Sequence, residues 1–202
     1  MSSFGMLTLD EFLAQTAAKR PTPGGGAVAG ATGAMACALA HMVVSYSLGK
    51  KALAAHQRAL EDASRRLERA RAMMLELADE DAAAFGLVNE LSRLPEGAER
   101  RVHDLPAAVD ASVQVPLAVA ATATDVLRVM EGLVGATNPQ LRSDLAIAAL
   151  LAEAAARASR WNVAINAPSL ADEPRRQHAL EESARLAETA MALARSVEDR
   201  CR

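Results

Sequence analysis

The chain has 202 residues, of which 51% are apolar and 47 are alanine, yet only five are aromatic. Aromatic and β-branched residues are too scarce for a sandwich or barrel, and Ala, Leu, Glu and Arg are strong helix formers. The expectation is an all-α fold: one domain over residues 1–202, a bundle of about six helices around a long buried central helix. With 22 basic and 25 acidic residues the net charge is −3, which leaves no basic footprint for nucleic acid.

The first helix is predicted from Leu9 to Ala18, because Thr8 and Glu11 have capping-box spacing and Leu9, Phe12, Leu13, Thr16 and Ala17 share one face. Two prolines and three glycines in Pro21–Gly26 stop it. From Ala27 to Val44 only Thr32 and His41 are clearly polar. That run reaches the lower length limit of a membrane span, and Gly26 and Gly30 have the spacing of a helix-dimer motif. Its Ala and Gly content gives little transfer energy and no second span is expected, so the reading is a central helix buried in a bundle, ending near Leu48, with no membrane partner. A third helix is predicted over Ala54–Leu91. A broken helical region follows from Glu99 to Val134, with Pro106 and Pro116 as starts or kinks. A fifth helix is capped by Ser143 and reaches Ala167, and a sixth spans Glu173 to the C-terminus.

Cys37 and Cys201 form neither a disulfide framework nor a zinc spacing, and no signal-peptide pattern opens the chain, so a reducing cytoplasm is expected. His56, His103 and His178 have no partners at metal-ligand spacing, so no metal is expected. His41 reads as a satisfied core residue.

Several residues could carry chemistry. Pro23-Gly24-Gly25-Gly26 opens a helix whose free N–H groups suit an anion or a polar ring edge, or it is only a tight turn. Asp81 has Leu77, Ala78, Ala84, Phe85 and Val88 at helical spacing, so it falls on the apolar face of its helix. It is either an acid–base group with a raised pKa or half of a buried ion pair that holds helices in register. Arg142-Ser143-Asp144 is a helix start or a polar contact for a ligand. Asn162 and Asn166, one turn apart, bond across a helix interface or to a ligand. Of only three lysines, Lys50 and Lys51 end the helix that the glycine loop begins; they satisfy its C-terminus or bind an anionic group.

Read in order, these segments resemble the cyclodeaminase/cyclohydrolase family. The stretches are PTPGGGAVAG from Pro21, Met42-Val43 with Gly49-Lys50, EDAAAF from Glu80, Arg93-Leu94-Pro95, Val115-Pro116-Leu117, RSDLAIAA from Arg142 and NVAIN from Asn162. The resemblance spans nearly the whole chain. It implies a helical homodimer with a folate site near the subunit interface and no tightly bound cofactor, a tetrahydrofolate derivative being the substrate. It implies Asp81 as the acid–base residue, with Lys50 as a second catalytic candidate. Pro23, Gly24, Gly25, Gly26, Arg142, Ser143, Asp144 and Asn162 are then substrate-binding candidates. The implied activity is hydrolysis of methenyltetrahydrofolate to formyltetrahydrofolate; the alternatives are cyclodeamination of formiminotetrahydrofolate, releasing ammonia, and a non-catalytic folate-binding module. Tyr46, Phe85 and Trp161 are the rings available to flank a pterin.

Overall fold

The computed structural model describes residues 3–202; Met1 and Ser2, which belong to the expected domain, lie outside them. Six helices follow in order: α1 (Leu9–Ala17), α2 (Gly25–Ser45), α3 (Gln57–Ser92), α4 (Glu99–Leu133), α5 (Arg142–Asn166) and α6 (Glu173–Cys201). Short loops join them, three of which contain a 3₁₀ turn, and there is no strand among the described residues. The all-helical expectation holds.

The capping box is formed. The Thr8 side chain accepts from the Glu11 amide at 3.2 Å, and the Glu11 carboxylate accepts from the Thr8 amide at 2.8 Å. Yet α1 buries none of its residues. Its apolar side turns to the outer face of the bundle, where Phe12 meets Phe4 edge-on with ring centroids 5.5 Å apart.

Helix α2 is the axis of the fold. It lies between α3 and α5, antiparallel to both, as the neighbours of its two ends show. Gly26 faces Asp81 and Gly33 faces Met74 on α3. Gly25 faces Asn162 near the end of α5, while Ser47, just past α2, binds the loop before α5. Small residues make this packing possible. A Cβ on Gly30 would lie 2.8 Å from the Met74 carbonyl oxygen and 2.9 Å from the Ala78 Cβ, and one on Gly33 would lie 2.7 Å from the Met74 sulfur. Packing continues through the α2 alanines and valines into a core with Leu60, Leu67 and Met74 of α3, Leu127 and Met130 of α4 and Leu145 of α5, all almost fully buried. Each such side chain contributes about 1.5–3 kcal/mol. By length and composition α2 and α4 could each cross a membrane, one helix more than the sequence reading counted. Both contribute heavily to the buried core.

The sequence suggested a broken helix at Pro106 and Pro116, but α4 is continuous for 35 residues with both prolines inside it. A proline leaves the carbonyl four residues earlier without its donor. For Pro106 that carbonyl belongs to Val102, an exposed residue. For Pro116 it belongs to Ser112, which is buried, and there the Asn166 side-chain amide donates to the Ser112 carbonyl at 2.7 Å. A side chain of α5 thus replaces the missing backbone donor, which settles Asn166 as a structural amide. Ser143 is likewise corrected as a cap: a 3₁₀ turn over Pro139–Leu141 leads into α5, which starts at Arg142 with Leu141 at the cap position and no side-chain cap bond. Asp144 does lie in the first turn. His41 is satisfied, its Nε2 2.9 Å from Ser64 Oγ.

Asn166→Ala should strand the buried Ser112 carbonyl and lower stability by about 1–3 kcal/mol in urea unfolding. A loss below about 0.5 kcal/mol would mean that water or a shift in α4 satisfies the carbonyl equally well.

Candidate active site

The start of α2 has no side-chain cap. Gly24 occupies the cap position in an extended conformation, and the first bond of the helix runs from the Val28 amide to the Gly24 carbonyl at 3.0 Å. The amides of the first turn, Gly25 to Ala27, are therefore free of helix partners. Pro23 before them is buried and follows Thr22 through a cis peptide bond.

Asp81 of α3 comes to this uncapped end. A Cβ on Gly26 would overlap both carboxylate oxygens, so only glycine permits the approach. The carboxylate is half-buried, and burial raises its pKa from 3.8 to about 6, opposed by the nearby Ala27 amide. The ion-pair reading of Asp81 is not realised: no Arg, Lys or His forms a salt bridge with it among the described residues. The positive end of a helix takes the place of a cation.

Asn162 completes this group. A Cβ on Gly25 would lie 3.4 Å from its Oδ1. Phe85, one turn beyond Asp81, and Trp161, beside Asn162, border the same end and are exposed. Phe85 therefore does not belong to the buried face on which Asp81 was read. Three helices thus bring together a proton-accepting carboxylate, free backbone donors and an amide. That set can take a proton from water, return it to a leaving atom, and hold a polar ring edge.

The remaining candidates lie elsewhere. Lys50 follows the far end of α2, exposed, about 30 Å from Gly25 by helix rise. Arg142, Ser143 and Asp144 start α5, whose other end carries Asn162. Tyr46 is at that far end too, 61% exposed. There the Asn138 amide donates to Ser47 Oγ at 2.9 Å, and Ser47 Oγ donates to the Val43 carbonyl, so the far end is tied to the loop before α5. Within one chain the candidates form two groups at opposite ends of α2. Sequence reasoning missed the Ala27 amide, because a backbone donor has no signature of its own. No group of three His, Cys, Asp or Glu side chains is placed to hold a metal among the described residues.

Fold and site define an all-helical protein with a carboxylate seated on a glycine-opened helix start. Residues 8–185 match the formiminotransferase-cyclodeaminase family. The chain is 31% identical to a methenyltetrahydrofolate cyclohydrolase of Methylorubrum extorquens over 88% of both chains. It is 32% identical to the formimidoyltransferase-cyclodeaminase of Sus scrofa over 82% of this chain, spanning 31% of that longer protein. The crystal structure of formiminotetrahydrofolate cyclodeaminase from Thermotoga maritima superposes with a TM-score of 0.89 at 33% identity, covering 97% of this chain and 96% of that one. The chain belongs to the formiminotransferase-cyclodeaminase family.

The raised pKa of Asp81 has a cost. Between pH 3.8 and about 6 the folded state holds the proton more tightly than the unfolded chain, so stability falls as pH rises through that window and stays lowered above it. Asp81→Asn removes the buried charge and should stabilise the protein by about 1–3 kcal/mol at pH 8, with the gain vanishing near pH 4. Chemical denaturation at the two pH values measures it. A variant less stable than the parent at pH 8 would show that the carboxylate earns its place by holding the helices.

Proposed function

We propose that the chain is an enzyme that hydrolyses methenyltetrahydrofolate to formyltetrahydrofolate. The observation that carries this reading is Asp81: a half-buried carboxylate at the open start of α2, with a pKa of about 6. The similarity over 88% of both chains to the Methylorubrum extorquens cyclohydrolase supports it. In the substrate, one carbon bridges two nitrogens as an amidinium cation. The ionised Asp81 stabilises that cation and removes a proton from the water that attacks the bridge carbon. As the carbon–nitrogen bond then breaks, the protonated Asp81 returns its proton to the departing nitrogen. The new hydroxyl releases its proton to solvent as the formyl carbonyl forms, so one proton is released overall. The free amides of Gly25 and Gly26 and the side chain of Asn162 hold the pterin edge, with Phe85 and Trp161 beside it. No tightly bound cofactor enters the cycle.

A second reading is favoured by the Thermotoga maritima structure and the animal relatives: cyclodeamination of formiminotetrahydrofolate. There Asp81 would donate a proton to the leaving ammonia. Side-by-side assays with the two folates decide between the readings, and folate binding with turnover of neither would identify a binding module.

The reading includes a homodimer. Lys50 and Arg142–Asp144 can serve the Asp81 site only from a second chain, since α2 separates them in one. A cytoplasmic location is part of the reading, supported by the two buried free thiols.

Asp81→Asn should lower turnover by about 10²–10⁴-fold while the fold is kept. In the parent enzyme kcat/KM should rise about tenfold per pH unit and level off above about pH 6. Full activity in the variant, followed by loss of methenyl absorbance, would sink the assignment. For Lys50, inactive Asp81→Asn and Lys50→Ala chains are refolded together. Recovery of up to about a quarter of parental activity is expected, because half of the dimers then carry one intact site. No recovery would remove Lys50 from the site.

A further inference from the structure

Residues 3–22 form an arm outside the bundle. Its helix α1 buries no residue, so packing does not hold it in place. Its ends do. At one end a 3₁₀ turn over Phe4–Met6 docks on α3. There the Phe4 amide donates to Asp79 Oδ1 at 2.7 Å, and Gly5 lies so near Leu75 that a Cβ would sit 3.3 Å from Leu75 Cδ1. At the other end the chain passes through the buried Pro23 into Gly24, the cap position of α2. The Phe4–Asp79 bond is the one hydrogen bond between residues 3–22 and helices α2 to α6 among the described residues.

Between these anchors the arm is stiff. The Phe4 ring meets the Phe12 ring edge-on, which joins the turn to the helix. The capping box closes the first turn of α1, and Thr16 Oγ1 donates to the Phe12 carbonyl at 2.8 Å. The helix itself spans about 13 Å by its rise. A strut of this kind passes a displacement from one end to the other, where a flexible loop would absorb it.

Both anchors belong to elements of the candidate site. Asp79 stands two residues before Asp81 on the same helix, turned from it by about 200°, so it does not share the face that Asp81 presents to α2. The segment at the arm's other end is the glycine loop. At Gly26 that loop lies against the Asp81 carboxylate with no room for a Cβ, so a small shift of the loop changes the site.

We propose that Asp79 is a positioning residue: by holding the Phe4 amide it anchors the arm as a strap that keeps the open start of α2 seated against Asp81. The kinetic consequence rests on the folate reading above. A carboxylate with no such task would be solvated. This one is half-buried and holds a backbone amide 75 residues away.

Three variants test it. Asp79→Ala removes the acceptor and the charge, whereas Asp79→Asn removes the charge and keeps an acceptor for the Phe4 amide. Phe12→Ala cuts the strut without touching α3, and α1 lies outside the bundle, so the bundle stays folded. Hydrogen exchange of the Val28 to Ala31 amides, followed by NMR, requires no turnover. It should quicken about tenfold in Asp79→Ala and Phe12→Ala and stay near the parent in Asp79→Asn. With methenyltetrahydrofolate, kcat should fall about tenfold in the first two variants and stay near the parent in Asp79→Asn. Equal exchange in Asp79→Ala and Asp79→Asn would overturn the proposal. So would faster exchange spread evenly along α3, which marks only a weaker helix, or faster exchange at α2 with kcat unchanged. A fall in mass by light scattering in either strap variant would also overturn it, because the arm would then be a subunit contact. If the parent turns over no folate, the activity reading fails, and the exchange rates still decide the strap.

Discussion

The close approach of two helix backbones between Gly26 and Gly33 governs the rest of the structure. At Gly30 and Gly33 the absent side chains let α2 sink against Met74 and Ala78. At Gly26 the same absence admits a carboxylate in place of a methyl group. One stripe of small residues therefore does two things at once: it sets the depth at which the central helix lies, and it brings Asp81 to a helix end that has no side-chain cap. A wider spacing would leave Asp81 solvated, at an ordinary carboxylate pKa and without reach to the first-turn amides.

That contact also explains why the site is electrostatically poised. Desolvation favours the protonated acid, while the uncapped start of α2 and the Ala27 amide favour the ionised base. These opposing influences leave the group near the middle of the range in which one carboxyl can both accept and donate a proton at neutral pH. A strong cation at this position would have fixed it as a carboxylate. Firm bonds at the other end of α2, through Ser47 and Asn138, keep the helix from sliding and so hold the geometry at Gly26.

Much of this was legible in the residues. Helix order followed from composition and periodicity, and the capping box at Thr8 was formed as spaced. Asp81 stood out because a carboxylate at a core position demands a reason. What the sequence could not express was which partner answers that demand. Local spacing sees only its own helix, so a backbone amide on α2 and an interhelical ion pair look the same. The prolines of α4 misled for a related reason: the donor that rescues the Ser112 carbonyl comes from Asn166, more than 50 residues away. Motif order likewise gathered Lys50 and Arg142 with Asp81, although helix length separates them by most of the bundle.

The most direct test is a titration of the Asp81 carboxyl carbon by NMR, with Asp81→Asn used for assignment. The account predicts a midpoint near pH 6, well above the ordinary carboxylate value. A midpoint near 3.8 in the parent protein would contradict it. The carboxylate would then be solvated, and the glycine stripe would serve packing alone.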